Sequence, residues 1–245
     1  MPDYHKIIYI DCDLVVNEDL AELYQFDLHG NVIGAAWDID VAGLRKTNRN
    51  EWQQYASNVL GLDEKDRYFQ AGVLIIDLDA LRKITDAKAL VQMAVTHQYR
   101  CHDQDVLNIV CKNKVEYLPQ KWNVLMNWVG DNGACRMNLM RRAPHDLYFE
   151  YLEARKQPYI VHYAGYQKPW HVVDCDLSDY FWSYAKESLF YPWLIDHLEP
   201  SRKDNTGSNA VGSGHWLRKL QDKLFPRGTK RRSVIDRIYI AVHKI

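Results

Sequence analysis

The most constraining stretch of this sequence is AGVLIIDL, residues 71–78, which is apolar at every position from Ala71 to Ile76. It is far shorter than the ~20 apolar residues of a membrane-spanning helix, and its lack of polar alternation marks a strand covered on both faces. The run Ile7–Ile10 has the same character and stops at Asp11. VIGAAW (Val32–Trp37) reads as a further strand, Val115–Leu118 as a short one stopped by Pro119, and Tyr159–Tyr163 as another that ends in the GYQKPW loop. Helical patterns lie among them. Leu90, Met93, Ala94 and His97 fall at helical spacing, and Val106, Leu107, Val110 and Cys111 make one stripe with Asp103 as N-cap or first-turn acid. This alternation predicts an α/β sandwich.

With 245 residues, 47% of them hydrophobic, the chain can bury a sizeable core. The core reads as complete near Leu198. PSRKDNTGSNAVGSG has a linker's composition, so the expected division is a domain over 1–199, a flexible linker over 200–214 and a tail over 215–245. The net charge of -1 hides an asymmetry, because from His215 onward nine Lys or Arg face Asp222 and Asp236. Val234, Ile235, Ile238, Tyr239, Val242 and Ile245 line one helical face of that tail, which predicts a basic amphipathic helix suited to an anionic membrane surface. The competing reading packs the stripe on the body of the protein. Nucleic acid is not the expected partner despite Lys230-Arg231-Arg232, since the apolar stripe has no role in phosphate binding. Five cysteines without a CxxC pair, and a start without a signal-peptide pattern, predict a reducing, cytoplasmic setting. With the tail attached, that setting is the inner face of the cytoplasmic membrane.

The pattern D-x-D occurs five times, at Asp11/Asp13, Asp38/Asp40, Asp77/Asp79, Asp103/Asp105 and Asp174/Asp176. Position separates the first pair from the rest: it follows an early apolar strand, and open α/β sheets bind ligands beyond the carboxyl ends of their strands. In an extended segment, alternation aims both carboxylates to one side, where they can share a hard cation with substrate phosphates. The alternative is a solvated strand cap. His162, at the end of the last apolar strand, reads either as a core histidine or as the third ligand of a site that favours Mn²⁺ over Mg²⁺. Lys168, on a loop shaped by Gly165 and Pro169, can meet a diphosphate as a point charge. Asp38 and Asp40, just after a strand, are candidate acceptor contacts. The eight Trp and sixteen Tyr offer glycan platforms or, more ordinarily, core, with Trp122, Trp170 and Trp193 set among apolar residues.

Four blocks in order, IIYIDCDLVVNEDLAEL, YFQAGVLIIDL, DQDVLN with LPQKWN, and IVHYAGYQKPW, resemble glycosyltransferase family 8, particularly its bacterial lipopolysaccharide glucosyl- and galactosyltransferases. The resemblance runs from residue 1 to about 195. It implies a GT-A type fold and retaining transfer of a hexose from a UDP-sugar to a glycan or lipid-linked glycan acceptor, with Mn²⁺ (or Mg²⁺) held by Asp11, Asp13 and His162. By the same resemblance Asp11, Cys12 and Asp13 face the nucleotide sugar, Gly165 and Lys168 the diphosphate, and Gln70, Ala71, Asp103 and Gln104 the donor sugar. Gln104 stands beside the anomeric carbon, as a stabiliser of a cation-like transition state or as a weak nucleophile, with Asp103 as its catalytic neighbour. Gln70 departs from the Asn usual in the family. The chain also begins almost at the D-x-D strand, so the expectation is a shortened relative without the segment that holds the base, with weak donor binding and an exposed sheet edge. Two rival readings stay open: a catalytically impaired relative that binds glycan or membrane, and a phosphatase of the haloacid-dehalogenase type using Asp11 and Asp13.

Overall fold

The computed structural model describes residues 3–47, 49–129, 135–172 and 175–198; the predicted linker and tail lie outside them. In chain order the elements are β1 (Lys6–Ile10), β2 (Leu14–Val16), α1 (Leu20–Tyr24), β3 (Ile33–Trp37), α2 (Ile39–Thr47), α3 (Arg49–Asn58), β4 (Phe69–Asp77), α4 (Leu78–Ile84), α5 (Ala87–Thr96), α6 (His102–Val110), β5 (Val115–Leu118), a 3-10 turn (Gln120–Trp122), β6 (Val124–Leu125), α7 (Arg136–Met140), α8 (His145–Ala154), β7 (Ile160–His162), α9 (Ser178–Ala185) and α10 (Tyr191–Asp196). Two compact units divide after Ala164, inside the span predicted as one domain.

The first unit holds two sheets. One has the order β1-β4-β3-β5, with β4 antiparallel to β1 and β3, and β5 parallel to β3. β1, β3 and β5 therefore point the same way, and their carboxyl ends share an edge with the start of β4. The other sheet has the order β2-β7-β6. As its composition requires, β4 is buried on both faces: Val73 and Ile75 join Leu23, Trp122 and Ile160 on one side, while Leu74 and Ile76 join Ile33 and Cys111 on the other. Each such side chain contributes about 1.5–3 kcal/mol by leaving water. The pairing of β3 with β4 slips between Ala35, opposite Leu74, and Trp37, opposite Phe69. Such an irregularity re-aims residues within it, and the β4 residues it spans are Gln70, Ala71, Gly72 and Val73.

One strand departs from its expected environment. β1 was expected to be covered on both faces, yet it is the edge strand of its sheet, and Tyr9 and Ile10 are exposed. Trp193 is likewise exposed rather than packed in a core.

Most of the repeated aspartates have structural work. Asp38 Oδ1 accepts from Val41 N at 2.9 Å at the start of α2, and Asp77 Oδ1 from Ala80 N at 2.8 Å at the start of α4, each satisfying a donor that a helix start leaves orphaned. Asp79 pairs with Arg82 and His5. Asp105 is fully buried and accepts from Tyr55 Oη and Tyr68 Oη, each at 2.5 Å, and from Cys101 N at 2.8 Å. Asp174 lies outside the described residues.

The second unit, taken by itself, is held by α9 and α10. Trp182, Ala185 and Leu198 are buried among Phe181, Tyr191 and Leu194, and Trp170 lies against Phe181 with ring centroids 5.3 Å apart. No helix among the described residues is long and apolar enough to cross a membrane.

Candidate metal centre and donor site

Asp11 and Asp13 sit where the chain passes from the first sheet to the second. Asp11 N donates to Gly72 O of β4 at 2.9 Å, and Asp13 O accepts from Tyr163 N at 2.9 Å just beyond β7. The pair thus lies in a bend between β1 and β2, not in the extended segment expected, and the backbone ties on either side set its direction. β2 pairs with β7 in a register that puts Leu14 opposite His162. His162 Nε2 consequently lies 3.2 Å from Asp13 Oδ1 and 3.6 Å from Asp11 Oδ2.

The donor set fits a hard divalent cation. Metal–ligand bonds of about 2.1 Å place neighbouring octahedral ligands ~3 Å apart, close to what is found, and two carboxylates with one imidazole suit Mn²⁺ or Mg²⁺. Among the described residues these three form a cluster able to hold a metal, with His162 buried and both carboxylates half-buried. The space for the imidazole exists because residue 72 is glycine: a Cβ there would overlap the His162 ring and stand 2.9 Å from Asp11 Oδ2. Tyr9 Oη donates to the other oxygen of Asp11 at 2.9 Å, and this bond, with burial and the carboxylate charge, pushes the phenol up to about 12.

Farther along the same edge lies a second polar cluster. Gln104 Oε1 accepts from Ala71 N at 2.9 Å and Gln104 Nε2 donates to Asp38 Oδ2 at 3.0 Å, so this amide bridges β4 to the end of β3. Asp38 is buried. Its burial and the nearby Asp40 push its carboxyl up to about 6, against the bonds from Val41 N and Gln104 and the charge of Arg136. Asp40 Oδ2 accepts from Arg136 Nε at 2.8 Å, its Oδ1 is buried without a hydrogen-bond partner, and burial raises its carboxyl despite Arg136. Arg136 Nη1 in turn donates to Met126 O and Ala164 O, each at 2.8 Å.

The remaining predicted residues are distributed as follows. Asp103 is exposed in the first turn of α6, where Cys101 rather than Asp103 is the N-cap. Cys12 is exposed between the two ligand aspartates. Gln70 does not present its carbonyl outward: Oε1 accepts from Gly72 N and from Asn123 Nδ2, the latter at 2.7 Å. Gly165, with φ 115°, and Lys168 belong to the second unit, where the Lys168 ammonium stands 5.9 Å from the centre of the Trp170 ring.

Reading from sequence missed three contributors. Tyr9 lay inside a run read only as a strand, and Gly72 inside a run read only as buried. Asn123 closes the block LPQKWN, which carried the resemblance but received no role.

A mixed α/β sheet that brings an Asp-x-Asp pair and a histidine together at its carboxyl edge defines a GT-A-like fold with a site able to hold a divalent metal. The profile of Glycosyl transferase family 8 matches residues 1–174, and the chain belongs to that family. It is 28% identical over 171 residues to General stress protein A of Bacillus subtilis, covering 67% of this chain and 52% of that protein. It is 25% identical over 193 residues to the lipopolysaccharide 1,2-glucosyltransferase of Escherichia coli, covering 78% and 51%. The chain thus spans about half the length of these curated relatives. Among solved structures, the apo form of the bifunctional glycosyltransferase WbbM superimposes with a TM-score of 0.71 at 28% identity, over 80% of this chain and 35% of that one. The galactosyltransferase LgtC, in complex with donor and acceptor sugar analogues, gives 0.55 at 28% identity, over 76% and 63%. The phosphatase reading is set aside, because the family match covers both Asp11 and Asp13 and their structural partner is His162.

Proposed function

We propose that this chain carries out the retaining transfer of a hexose, glucose or galactose, from a UDP-sugar to a glycan acceptor in lipopolysaccharide assembly, using Mn²⁺ or Mg²⁺. The observation that carries this reading is the convergence of Asp11, Asp13 and His162 at the carboxyl edge of the sheet. A bound cation neutralises charge on the departing diphosphate. The chain's own residues do the rest. Asp11 and Asp13 hold carboxylate oxygens toward the phosphates; Lys168 and Gly165 are assigned to the diphosphate from the sequence resemblance alone. Gln104 and Asp103 lie on the sugar side, where a fixed dipole and a carboxylate support positive charge as the glycosidic bond breaks. Asp38 and Asp40, read from sequence as acceptor contacts, are instead engaged by Val41 N, Gln104 and Arg136, and no acceptor role is assigned to them. Attachment to an anionic membrane through the tail over 215–245, at the inner face of the cytoplasmic membrane, belongs to the same proposal and rests on the sequence pattern alone.

The test is calorimetric titration with UDP, with and without Mn²⁺, on the chain and its Asp13→Ala variant, followed by hydrolysis and transfer assays with UDP-glucose and UDP-galactose. Manganese-dependent binding that is lost in the variant, together with turnover, is the expected result. Binding without turnover would replace the transfer reading with that of a binding relative, and a folded chain that binds UDP equally with and without metal would overturn the site.

A further inference from the structure

Behind the ligand set runs a chain of amide hydrogen bonds whose polarity can be deduced from one end. Gly72 N is a backbone N–H and can only donate, so the Gln70 atom that receives it is the carbonyl oxygen Oε1. That same oxygen lies 2.7 Å from the Asn123 side chain, which must therefore offer Nδ2 there. Asn123 then has its oxygen at the other end, 2.9 Å from His162 Nδ1. An oxygen in that place requires Nδ1 to carry a proton. A neutral imidazole protonated at Nδ1 leaves its lone pair on Nε2, the nitrogen that faces Asp13 Oδ1 at 3.2 Å and Asp11 Oδ2 at 3.6 Å.

We propose that Asn123 is a positioning residue of the metal centre: keyed by Gln70 and the Gly72 amide, it fixes the tautomer and the ring plane of His162 so that Nε2 is the ligand atom. The inference rests on the metal-site reading above and deepens it. Metal-bound histidines characteristically donate their second N–H to an oxygen, and loss of such a partner weakens metal affinity by about 10–100-fold. Burial supports the assignment. Asn123 is 2% and His162 1% exposed, so water does not replace the Asn123 oxygen when it is lost. The network also gives a reason for the longer side chain at residue 70. Gln70 folds back to accept from the amide two residues on in its own strand while still reaching Asn123, and so couples the slipped segment of β4 to the 3-10 turn that ends at Asn123.

The experiment measures Mn²⁺ affinity, by calorimetry and by the electron spin resonance of free Mn²⁺, for the wild-type chain, Asn123→Leu, Asn123→Asp and Asp13→Ala, with circular dichroism to establish folding. Asn123→Leu, which offers His162 no acceptor, is expected to lose 10–100-fold, and Asn123→Asp, which keeps an oxygen toward Nδ1 but sets a second one against Gln70 Oε1, less than Asn123→Leu. Nitrogen-15 spectra of the wild-type chain with Mg²⁺ bound give a second readout that needs no variant to fold: the His162 proton is expected on Nδ1. Failure of the wild type itself to bind Mn²⁺ would overturn the metal site. Wild-type binding that Asn123→Leu leaves unchanged while folded, or a Mg²⁺-bound His162 that carries no proton on Nδ1, would overturn the role of Asn123 and leave the metal site standing.

Discussion

Asp38 makes the stability of this fold depend on pH in a direction opposite to that of most carboxylates. Burial, with the adjacent Asp40 charge, raises its carboxyl from 3.8 to about 6. Between these values the native state binds more protons than the unfolded chain, so stability falls as pH rises through the window and the loss is complete above about 6. Lowering the pH from about 7.5 to about 5 is therefore expected to add about 1 kcal/mol from this residue alone. For a domain of this size that is a rise of about 2–4 °C in melting temperature. Asp40, raised by burial, acts in the same sense. Two other carboxylates are held below the usual range: Asp66, where burial is outweighed by the bonds from Lys112 and Asp63 together, and Asp79, through its bond with His5. Their contributions are lost only at still lower pH. The assay is urea denaturation at intervals across the window for the wild type and Asp38→Asn. The variant keeps the bond to Val41 N but sets an amide donor against Gln104 Nε2, a mismatch of about 1–3 kcal/mol. Its absolute stability near neutrality is thus expected to lie about 1–3 kcal/mol below that of the wild type, while its pH slope is flatter. Parallel curves for the two proteins would refute the reasoning.

Two substitutions probe the packing around the site. Gly72→Ala is expected to destabilise by about 1–3 kcal/mol through overpacking and to weaken Mn²⁺ binding, since its Cβ meets the His162 ring; unchanged denaturation midpoint and affinity would mean that His162 moves away freely. Asp105→Ala orphans the hydroxyls of Tyr55 and Tyr68 and the amide of Cys101 and is expected to cost about 3–5 kcal/mol, each buried unsatisfied donor costing about 1–3, measured by denaturation, with a loss below 1 kcal/mol counting against it.

Much of the sheet was legible because burial on both faces leaves a compositional trace. β3, β4 and β5 were found within two residues at each end, and Val73–Ile76 marked a central strand before any coordinate. An exposed sheet edge was expected but not assigned to a strand, because Ile7–Ile10 is as apolar as a buried strand and nothing local says which side will lack a neighbour. D-x-D recurrence was ambiguous for a physical reason: an aspartate after a strand is also the preferred cap of the helix that follows, as Asp38 and Asp77 are. Distinguishing Asp11 and Asp13 from these needed the register of β2 against β7, a pairing between residues far apart in sequence. For Gln70 the sequence showed only a longer amide than the Asn usual in the family; that its carbonyl oxygen turns back onto the Gly72 amide and Asn123 depends on the conformation of β4 and was not legible.

The ligand set also joins the two sheets of the first unit. Asp11 follows β1 and is tied to Gly72 of β4 in one sheet, while Asp13 precedes β2 and His162 ends β7 in the other. Asp11 Oδ2 and Asp13 Oδ1 approach the same imidazole nitrogen, and the other oxygen of Asp11 accepts from Tyr9 Oη. An ion that binds all three groups binds only the folded arrangement, because the unfolded chain has no such set. Mn²⁺ at about 100 times its dissociation constant is accordingly expected to stabilise the chain by ~2.7 kcal/mol, a rise of roughly 5–10 °C at this size. Asp13→Ala should abolish most of that rise while melting near the metal-free wild type. Equal rises in both proteins would place the stabilising ion elsewhere and remove the sheet junction as the metal centre.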